Sequence, residues 1–178
     1  MSITEQQTAI PTGTYNADRV HSSVTFGVEY MGIGEFGGSV TDFEATLANG
    51  QLHGSARIES LETKDENLYG HLMSPEFFDA ERHPVVSFST ESASVDGSNV
   101  VVQGEITIKG VTQPATLTGT IVGPTTDPYG NERYGLKLET EIDRTEFGIT
   151  WNNDMPNGTK ALADEVTLKA DLSLVKAA

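Results

Sequence analysis

The chain has 178 residues, 37% of them hydrophobic, which is enough to build the core of one domain. Its 26 acidic and 11 basic residues give a net charge of -15, which repels phosphate backbones and anionic membrane surfaces, so nucleic acid is not an expected partner. The lack of cysteine excludes disulfides, thiolate catalysis and cysteine-ligated metals.

The chain starts with a polar segment. Residues 1–13 end in Pro11 and Gly13, which predicts a flexible N-terminal tail followed by a single domain over residues 14–178. This segment has neither the basic region nor the apolar stretch of a signal peptide, so we expect a cytoplasmic protein. No stretch approaches the roughly 20 apolar residues of a membrane helix, and an integral membrane segment is not expected.

Most of the remaining chain alternates between apolar and polar residues, as half-buried β-strands do. The first such strand is predicted from Val20 to Tyr30. Asn49-Gly50 and, later, residues 96–97 are typical of hairpin turns. Repeated strands of this kind predict an all-β fold, in which an antiparallel sheet closes into an eight-stranded barrel because closure leaves no exposed edge.

A glycine-rich segment follows the first strand. Gly32, Gly34 and Gly37 have the spacing of a dinucleotide-binding loop. That loop needs a helix directly after the glycines, so that the pyrophosphate meets the helix N-terminus, whereas residues 39–47 alternate like a strand. A tightly bent strand is therefore predicted here, and nucleotide binding is not.

The alternation stops over residues 63–82, which we predict to form a short helical plug. Thr63 and Glu66 have the spacing of a capping box at a helix start. Ser74-Pro75 offers a second start, because proline is well suited to the first position of a helix. The plug brings several large apolar side chains to one place between two strands.

Four blocks of sequence, in this order, resemble the YceI-like family of lipocalin-like barrels: DRVHSSVTFGVEYMGIG, GHLMSPEFFDAERHPVVSFST, GEITIKGVTQPATL, and IDRTEFGI followed by DEVTL. The resemblance covers most of residues 15–175. It implies an extended eight-stranded antiparallel barrel whose hydrophobic cavity holds a long isoprenoid or other lipid-like tail, with a binding or carrier role and no established catalysis. The positions that match the family's blocks are His21, Ser22, Phe26, Val28, His71, Leu72, Phe77, Phe78, Asp79, Pro84, Phe88, Gly104, Gly110, Arg144, Phe147 and Gly148.

The chain also departs from the family's pattern. Tyr15 stands where members often have tryptophan, and Tyr30 where they often have histidine. The second change lies near the predicted mouth of the cavity, so the family's ligand is not simply carried over. Many members also carry an export signal, which this sequence lacks.

An eight-stranded barrel is just wide enough to be filled by its side chains or to hold one slender ligand. Burying hydrocarbon gains about 0.8 kcal/mol per methylene, so tight binding of a tail needs no polar catalytic group. We expect a polyprenyl chain, an isoprenoid quinone or a fatty amide as the ligand, carried or stored, and no other cofactor. The predicted cavity wall is Phe26, Val28, Tyr30, Phe36, Leu68, Leu72, Phe77, Phe78, Phe88, Phe147 and Trp151; the predicted head-group donors are Asn67, His71 and Arg144.

Two other functions compete with this one. A filled barrel without a ligand would act as a stress-related interaction module, and a homodimer is left open because no exposed apolar strand identifies an interface. An enzyme using paired carboxylates is less favoured, since the sequence has no Gly-x-Ser-x-Gly elbow and no histidine pair at helical metal-site spacing. His21, His71 and His83 are the remaining candidates for a metal site, which we do not expect.

Overall fold

The computed structural model describes residues 10–177, so residues 1–9 of the predicted tail lie outside the described residues. Strands dominate this part of the chain, with a short α-helix between the sixth and seventh. The elements are β1 (Thr14–Ala17), β2 (Ser23–Tyr30), β3 (Gly34–Val40), β4 (Phe43–Ala48), β5 (Gln51–Arg57), β6 (Leu61–Glu62), α1 (Glu66–Met73), β7 (Val85–Asp96), β8 (Asn99–Ile108), β9 (Val111–Thr126), β10 (Glu132–Asp143) and β11 (Leu162–Lys176).

The strands close into an eight-stranded antiparallel barrel, which confirms the predicted fold class. Three barrel strands are each made of two shorter strands placed end to end: β1 with β2, β3 with β4, and β5 with β6. The remaining five are β7 to β11. The barrel closes because β11 pairs with β10 along one edge and with both β1 and β2 along the other.

The three composite strands are interrupted at the same level. The interruptions fall at residues 18–22, 41–42 and 58–60, and the first and third contain short 3-10 turns. A main-chain hydrogen bond from Thr41 N to Ser60 O at 3.4 Å joins two neighbouring interruptions, and another, from Arg57 N at the end of β5, reaches Asp42 O at 2.9 Å. Val20, predicted in the first strand, instead lies in the turn of residues 19–21 and is 85% exposed.

The turns follow the predicted chemistry. Asn49 and Gly50 join β4 to β5 with φ values of 51° and 81°, the left-handed conformations that this hairpin turn requires. Gly97, with φ 62°, lies in the turn between β7 and β8. In the glycine-rich segment β2 turns back as β3, and a Cβ at Gly37 would lie 2.2 Å from the carbonyl oxygen of Phe26. A strand does follow the glycines, as predicted, but the chain reverses in a hairpin turn at residues 31–33 and does not bend within one strand; Gly37 allows close backbone approach.

The plug, residues 63–82, contains less helix than predicted. Helix α1 begins after Asp65, whose carboxylate accepts hydrogen bonds from the amides of Asn67 and Leu68 at 2.8 and 3.0 Å. The predicted capping box of Thr63 with Glu66 is wrong, because the carboxylate of Asp65 satisfies the amides at the helix start. The second helix start at residues 74–75 is also wrong, since residues 75–78 form turns.

Buried side chains form two clusters, one at each end of the barrel. The plug-side cluster includes Val28, Leu72 and Phe147. The far-side cluster surrounds Tyr15, which is 2% exposed, and Leu174, which is completely buried. Ile10 packs against the far-side cluster and Pro11 is buried, so this described end of the predicted tail is packed against the barrel.

Candidate functional site

A cavity of about 150 Å³, here called the plug chamber, lies inside the barrel next to the plug. Its walls come from β2, β3, the chain from β5 to β8 including the plug, β10 with the segment after it, and β11. Almost all of its lining is apolar, because the inward positions of these strands carry Val, Ile, Leu and Phe. The lining residues are Val24, Thr25, Phe26, Val28, Phe36, Val40, Ala56, Ile58, Leu61, Leu72, Phe77, Phe78, Val86, Ile108, Ile142, Arg144, Phe147, Ile149, Leu162, Val166 and Leu168.

A second cavity of about 150 Å³, here called the inner chamber, lies further along the barrel. It borders the plug chamber, because the two cavities share Val24, Ala56, Val86 and Leu168 in their walls. Small inward residues leave this space: the middle of the barrel carries Ala45, Gly54, Ala56 and Ala170 where the ends carry larger side chains. The inner chamber is also lined by Phe43, Leu52, Phe88, Ile106, Leu117, Leu138 and Leu172, and its border includes Glu44, Ser55, Ser87, Glu139, Thr140 and Lys169.

The far-side cluster closes the barrel beyond the inner chamber. Among residues 10–177, the cavity found at this end, next to Leu47, Val100 and Leu136, measures about 20 Å³. A cavity of this size has room for about one water molecule and for no part of an organic ligand. The far end is therefore a packed floor.

Charged groups also hold the far end together. The guanidinium of Arg133 donates from Nε to Asp127 Oδ2 at 2.7 Å and from Nη1 to Asp18 Oδ2 at 3.1 Å. The hydrogen bond from the His21 ring, followed by that from Arg133, lowers the pKa of Asp18 to about 2. Arg133 lowers the pKa of Asp127 to about 2. A hydrogen bond to the Glu132 carboxylate raises the pKa of the buried Tyr15 hydroxyl to about 12.

Three rings stack where the plug meets the segment after β10. The His71 ring lies 4.7 Å from Phe77 and 4.6 Å from Trp151, centroid to centroid, with edge-to-face geometry. Lys109 Nζ donates to the carbonyl oxygen of Pro75 at 2.6 Å and ties the plug to the β8–β9 turn. Aromatic packing and this hydrogen bond hold the plug over the chamber.

A row of aromatic rings runs from the tip of the β2–β3 hairpin to the plug. Neighbouring rings in the row meet edge to face. The ring centroids of Tyr30, which is 39% exposed, and Phe36 are 6.1 Å apart; the centroids of Phe36 and Phe26 are 6.4 Å apart, and those of Phe26 and Phe78 are 6.3 Å apart. Beside this row, β3 pairs with β6 only at residues 39–40, so residues 34–38 have no ladder partner on that edge among residues 10–177. Between residues 34–38 of β3 and the plug, the wall therefore lacks a main-chain ladder.

Arg144 lines the plug chamber, but its donors are engaged elsewhere. It is 3% exposed and donates to four main-chain carbonyl oxygens, those of Ala163, Ile149, Trp151 and Leu162, at 2.8, 2.8, 2.9 and 3.4 Å. Asp164 Oδ1 lies 3.7 Å from its Nη2. Burial lowers the pKa of the guanidinium, and the carboxylates of Asp164 and Asp143 oppose this shift. These contacts favour a structural role, in which Arg144 braces residues 149–163 against the barrel.

The other two predicted head-group donors lie away from the chambers. Asn67 is exposed on α1. His71 faces Phe77 and Trp151, and its Nε2 lies 3.5 Å from Glu76 Oε1. Neither side chain lines the plug chamber or the inner chamber.

The structure brings most of the predicted wall together. Seven of those residues line the plug chamber: Phe26, Val28, Phe36, Leu72, Phe77, Phe78 and Phe147. Phe88 lines the inner chamber instead. Leu68 and Trp151 pack against the plug-side cluster without lining the plug chamber, and the exposed Tyr30 contacts Phe36. The inner chamber was not predicted from the sequence. Its signal was the run of alanine and glycine at inward positions of β4, β5 and β11.

Two further kinds of site were considered for residues 10–177: a cluster of side chains that could bind a metal ion, and a helix that could span a membrane. No group of three or more His, Asp or Glu side chains among residues 10–177 has a geometry that could hold a metal ion. The single α-helix described in that range is too short to cross a membrane.

Comparison with known proteins decides the family. A family model described as the YceI-like domain matches residues 15–174. The chain belongs to the YceI-like family. Protein YceI of Escherichia coli is 28% identical to this YceI-like chain over 136 residues, which cover 72% of this chain and 71% of the relative.

Solved structures agree with this YceI-like fold. BcnA of Burkholderia cenocepacia superposes with a TM-score of 0.70 at 19% identity, covering 90% of this chain and 99% of the other. A polyisoprenoid binding domain from Saccharophagus degradans superposes with a TM-score of 0.68 at 12% identity, covering 92% and 98% of the two chains. At these identities the likeness establishes the shared barrel.

Proposed function

We propose that this YceI-like barrel is a binding protein, not an enzyme, and that it holds the hydrocarbon tail of an isoprenoid or other lipid-like molecule as a carrier or store. The observation that carries the proposal is the plug chamber. Its lining residues are apolar apart from Thr25 and Arg144, and Arg144 is already bonded to main-chain carbonyls. A space of this character gains free energy from hydrocarbon and offers a polar substrate little.

Similarity to a polyisoprenoid binding domain supports the same class of ligand. The physical argument is independent of that similarity: each methylene moved from water to such a wall gains about 0.8 kcal/mol before the cost of ordering the chain. Tail burial alone is therefore a sufficient source of affinity.

The charges favour a neutral head group. The chain carries a net charge of -15, and the three candidate donors are either engaged or directed away from the chambers. A quinone, alcohol or amide head fits this setting better than a phosphate. Farnesol and farnesyl pyrophosphate should then bind with similar affinity, or the alcohol more tightly; clear preference for the pyrophosphate would contradict a neutral head.

The wall is tested at Phe78, a plug residue in contact with Phe26 across the chamber. The Phe78→Asp variant should lose uptake of farnesol, measured by native mass spectrometry of delipidated protein, because an unpaired carboxylate in an apolar wall opposes hydrocarbon burial. The matched control is Tyr129→Asp, since Tyr129 is 87% exposed and lines neither chamber. Circular dichroism checks that the strands are retained. Normal uptake by a folded Phe78→Asp variant would refute the proposed wall.

A further inference from the structure

The turn between β2 and β3 differs in chemistry from two other tight hairpins of the barrel. In each of the three, a residue in the left-handed conformation stands directly before a glycine: Asn49 with φ 51°, Lys109 with φ 53° and Met31 with φ 57°. Asn49 and Lys109 are polar, as exposed turn residues usually are, whereas Met31 is a long apolar residue in a conformation that favours glycine and asparagine. Turn formation alone therefore does not account for Met31.

The tip of this hairpin, residues 30–33, exposes a cluster of apolar side chains. Ile33 is 89% exposed, and Met31 and Tyr30 are exposed beside it. Single exposed apolar residues are ordinary, but several together on one projecting turn are typical of a surface that contacts another molecule or a membrane.

The main chain of the hairpin suits shallow contact with lipid. Met31 N donates to Ala161 O at 2.6 Å and Ile33 N to Tyr30 O at 3.3 Å, so covering the turn leaves these amides bonded. Residues 34–38 have no ladder partner on their outer edge within residues 10–177, so this part of β3 has to stay where water and head groups can bond to it. The tip can thus enter the interface of a bilayer, a depth that tyrosine favours, without entering its hydrocarbon core.

Charge decides which kind of lipid surface fits. Glu29 and Glu35 are exposed and lie directly opposite each other on β2 and β3, and within residues 10–177 neither forms an ion pair. A Cβ at Gly32 would lie 4.0 Å from Glu29 Oε1, so this carboxylate reaches the turn itself. Like charges placed opposite each other repel, and a positive group between them relieves the repulsion. The pair therefore disfavours anionic lipids and favours head groups that carry an ammonium group.

From these observations we propose that the tip, residues 30–33, is a membrane-docking site, which binds the surface of a bilayer made of zwitterionic, ammonium-bearing phospholipids. Tyr30 is the outer end of the aromatic row, which continues through Phe36 and Phe26 to Phe78 in the wall of the plug chamber. Docking therefore brings the plug end of the barrel to the lipid surface. It needs no ligand in the chamber, so this inference goes beyond the proposed function and is tested separately.

The experiment measures co-sedimentation of the delipidated, full-length chain with two kinds of vesicle, one of phosphatidylcholine and one of phosphatidylcholine mixed equally with phosphatidylglycerol. The wild type should bind the pure phosphatidylcholine vesicles, and the mixed vesicles about fivefold more weakly, because the anionic lipid repels the carboxylates. Ile33→Asp should lower binding to phosphatidylcholine about tenfold, since it removes the most exposed apolar side chain of the tip. The matched control is Tyr129→Asp, at a residue almost as exposed in the turn between β9 and β10, and it should bind like wild type.

Met31→Asn separates docking from folding. Asparagine adopts the left-handed conformation more readily than methionine, so the melting temperature should stay the same or rise. Binding to phosphatidylcholine vesicles should nevertheless fall about threefold, because an apolar side chain is lost from the tip. A stable Met31→Asn variant that binds these vesicles as well as wild type would contradict the docking site.

A double variant, Glu29→Gln with Glu35→Gln, tests the choice of head group. It should bind the mixed vesicles about threefold more tightly than wild type, because two negative charges next to the tip are removed. Its control is Glu91→Gln with Glu105→Gln, which removes the same charge from exposed positions on β7 and β8. Equal binding of the mixed vesicles by the two double variants would refute selection by these carboxylates.

The outcomes distinguish docking from the proposed function. A wild type that sediments with neither vesicle, or equal binding by Ile33→Asp and Tyr129→Asp, overturns the docking site and leaves the function of the chamber standing. Phe78→Asp should still dock, because Phe78 lies in the chamber wall and not at the tip; loss of vesicle binding in this folded variant would show that the chamber, not the tip, holds the lipid.

A second copy of the chain is the other possible occupant of the tip. Sedimentation velocity of wild type and Ile33→Asp in the absence of vesicles tests it. Monomers in both cases support the membrane site. A wild-type dimer that Ile33→Asp converts to a monomer assigns the tip to self-association and overturns the membrane site.

Discussion

The two ends of the barrel are built from the same alternating strands, yet one end is solid and the other holds the chambers. The difference lies in residue size at inward positions. Along β11, Ala170 at the middle gives way to Leu172 and Leu174 toward the far end, and along β5, Gly54 contrasts with Leu52. Alternation thus sets which way a side chain points, whereas side-chain volume sets whether the interior is filled.

The largest expected effect compares two leucines on β11. Leu174 is completely buried in the far-side cluster, so Leu174→Ala should lower the free energy of unfolding by about 3 to 5 kcal/mol through lost burial and a new cavity. Leu168 borders both chambers, so its side chain has empty space beside it and makes fewer packing contacts. Leu168→Ala should therefore lower the free energy of unfolding by only about 2 kcal/mol. Urea denaturation of delipidated protein measures both; equal costs would show that the two ends are packed alike.

A smaller effect is expected from Arg144, which organises the plug end. Arg144→Met should lower the free energy of unfolding by about 3 kcal/mol, because it leaves buried carbonyl oxygens such as that of Ile149 without a hydrogen-bond donor. Trp151, the only tryptophan in the sequence, accepts one of these bonds and should report the change as a red shift in fluorescence. Arg57→Met, at an arginine side chain that is 53% exposed, is the control and should change neither property. An unchanged tryptophan spectrum in Arg144→Met would contradict the bracing role.

The smallest expected effect is on how the stability of the fold depends on pH, and it comes from two carboxylates at the far end. Because the pKa values of Asp18 and Asp127 are lowered to about 2 in the folded state, they stabilise the fold above their ordinary pKa of about 4. This contribution is lost as the pH falls from about 4 toward 2, and the melting temperature should fall with it.

Arg133→Met should make that acid dependence shallower, because it removes a hydrogen bond from each carboxylate and moves both pKa values back toward the ordinary value. Lys137→Met is the control, since the exposed Lys137 lies 3.9 Å from Asp171 and contacts neither carboxylate. Parallel melting curves against pH for wild type and Arg133→Met would show that this network does not set the acid stability.

The barrel was predictable because it depends on local patterns, namely alternation and turn residues such as Asn49-Gly50, whereas the hairpin between β2 and β3 was predicted as one bent strand. Most of the plug chamber followed from the aromatic residues around the plug, including Phe77 and Phe78. The start of α1 was misplaced because Asp65 and Thr63 are both acceptable caps, and only the tertiary path of the chain decides between them.

Arg144 illustrates what sequence reasoning could not reach. An arginine beside an apolar cavity suggests a clamp for an anionic head group, but the nearby chain after β10 has irregular backbone whose carbonyls need donors. Which partner it binds depends on residues up to Ala163, far along the chain. The inner chamber could not be predicted for a different reason. Small residues indicate a cavity only when the residues that face them across the barrel are known.

The interruptions at residues 18–22, 41–42 and 58–60 lie at one level of the barrel wall. They lie side by side, joined by the hydrogen bond from Thr41 N to Ser60 O and by the ion pair of Arg19 with Asp42. β2, β3 and β6 lie on the plug side of the interruptions, whereas β1, β4 and β5 lie on the other side, where β4 and β5 line the inner chamber and reach the far end. β11 pairs with both β1 and β2 and runs past this level without a break, so a continuous strand joins the two parts of the wall.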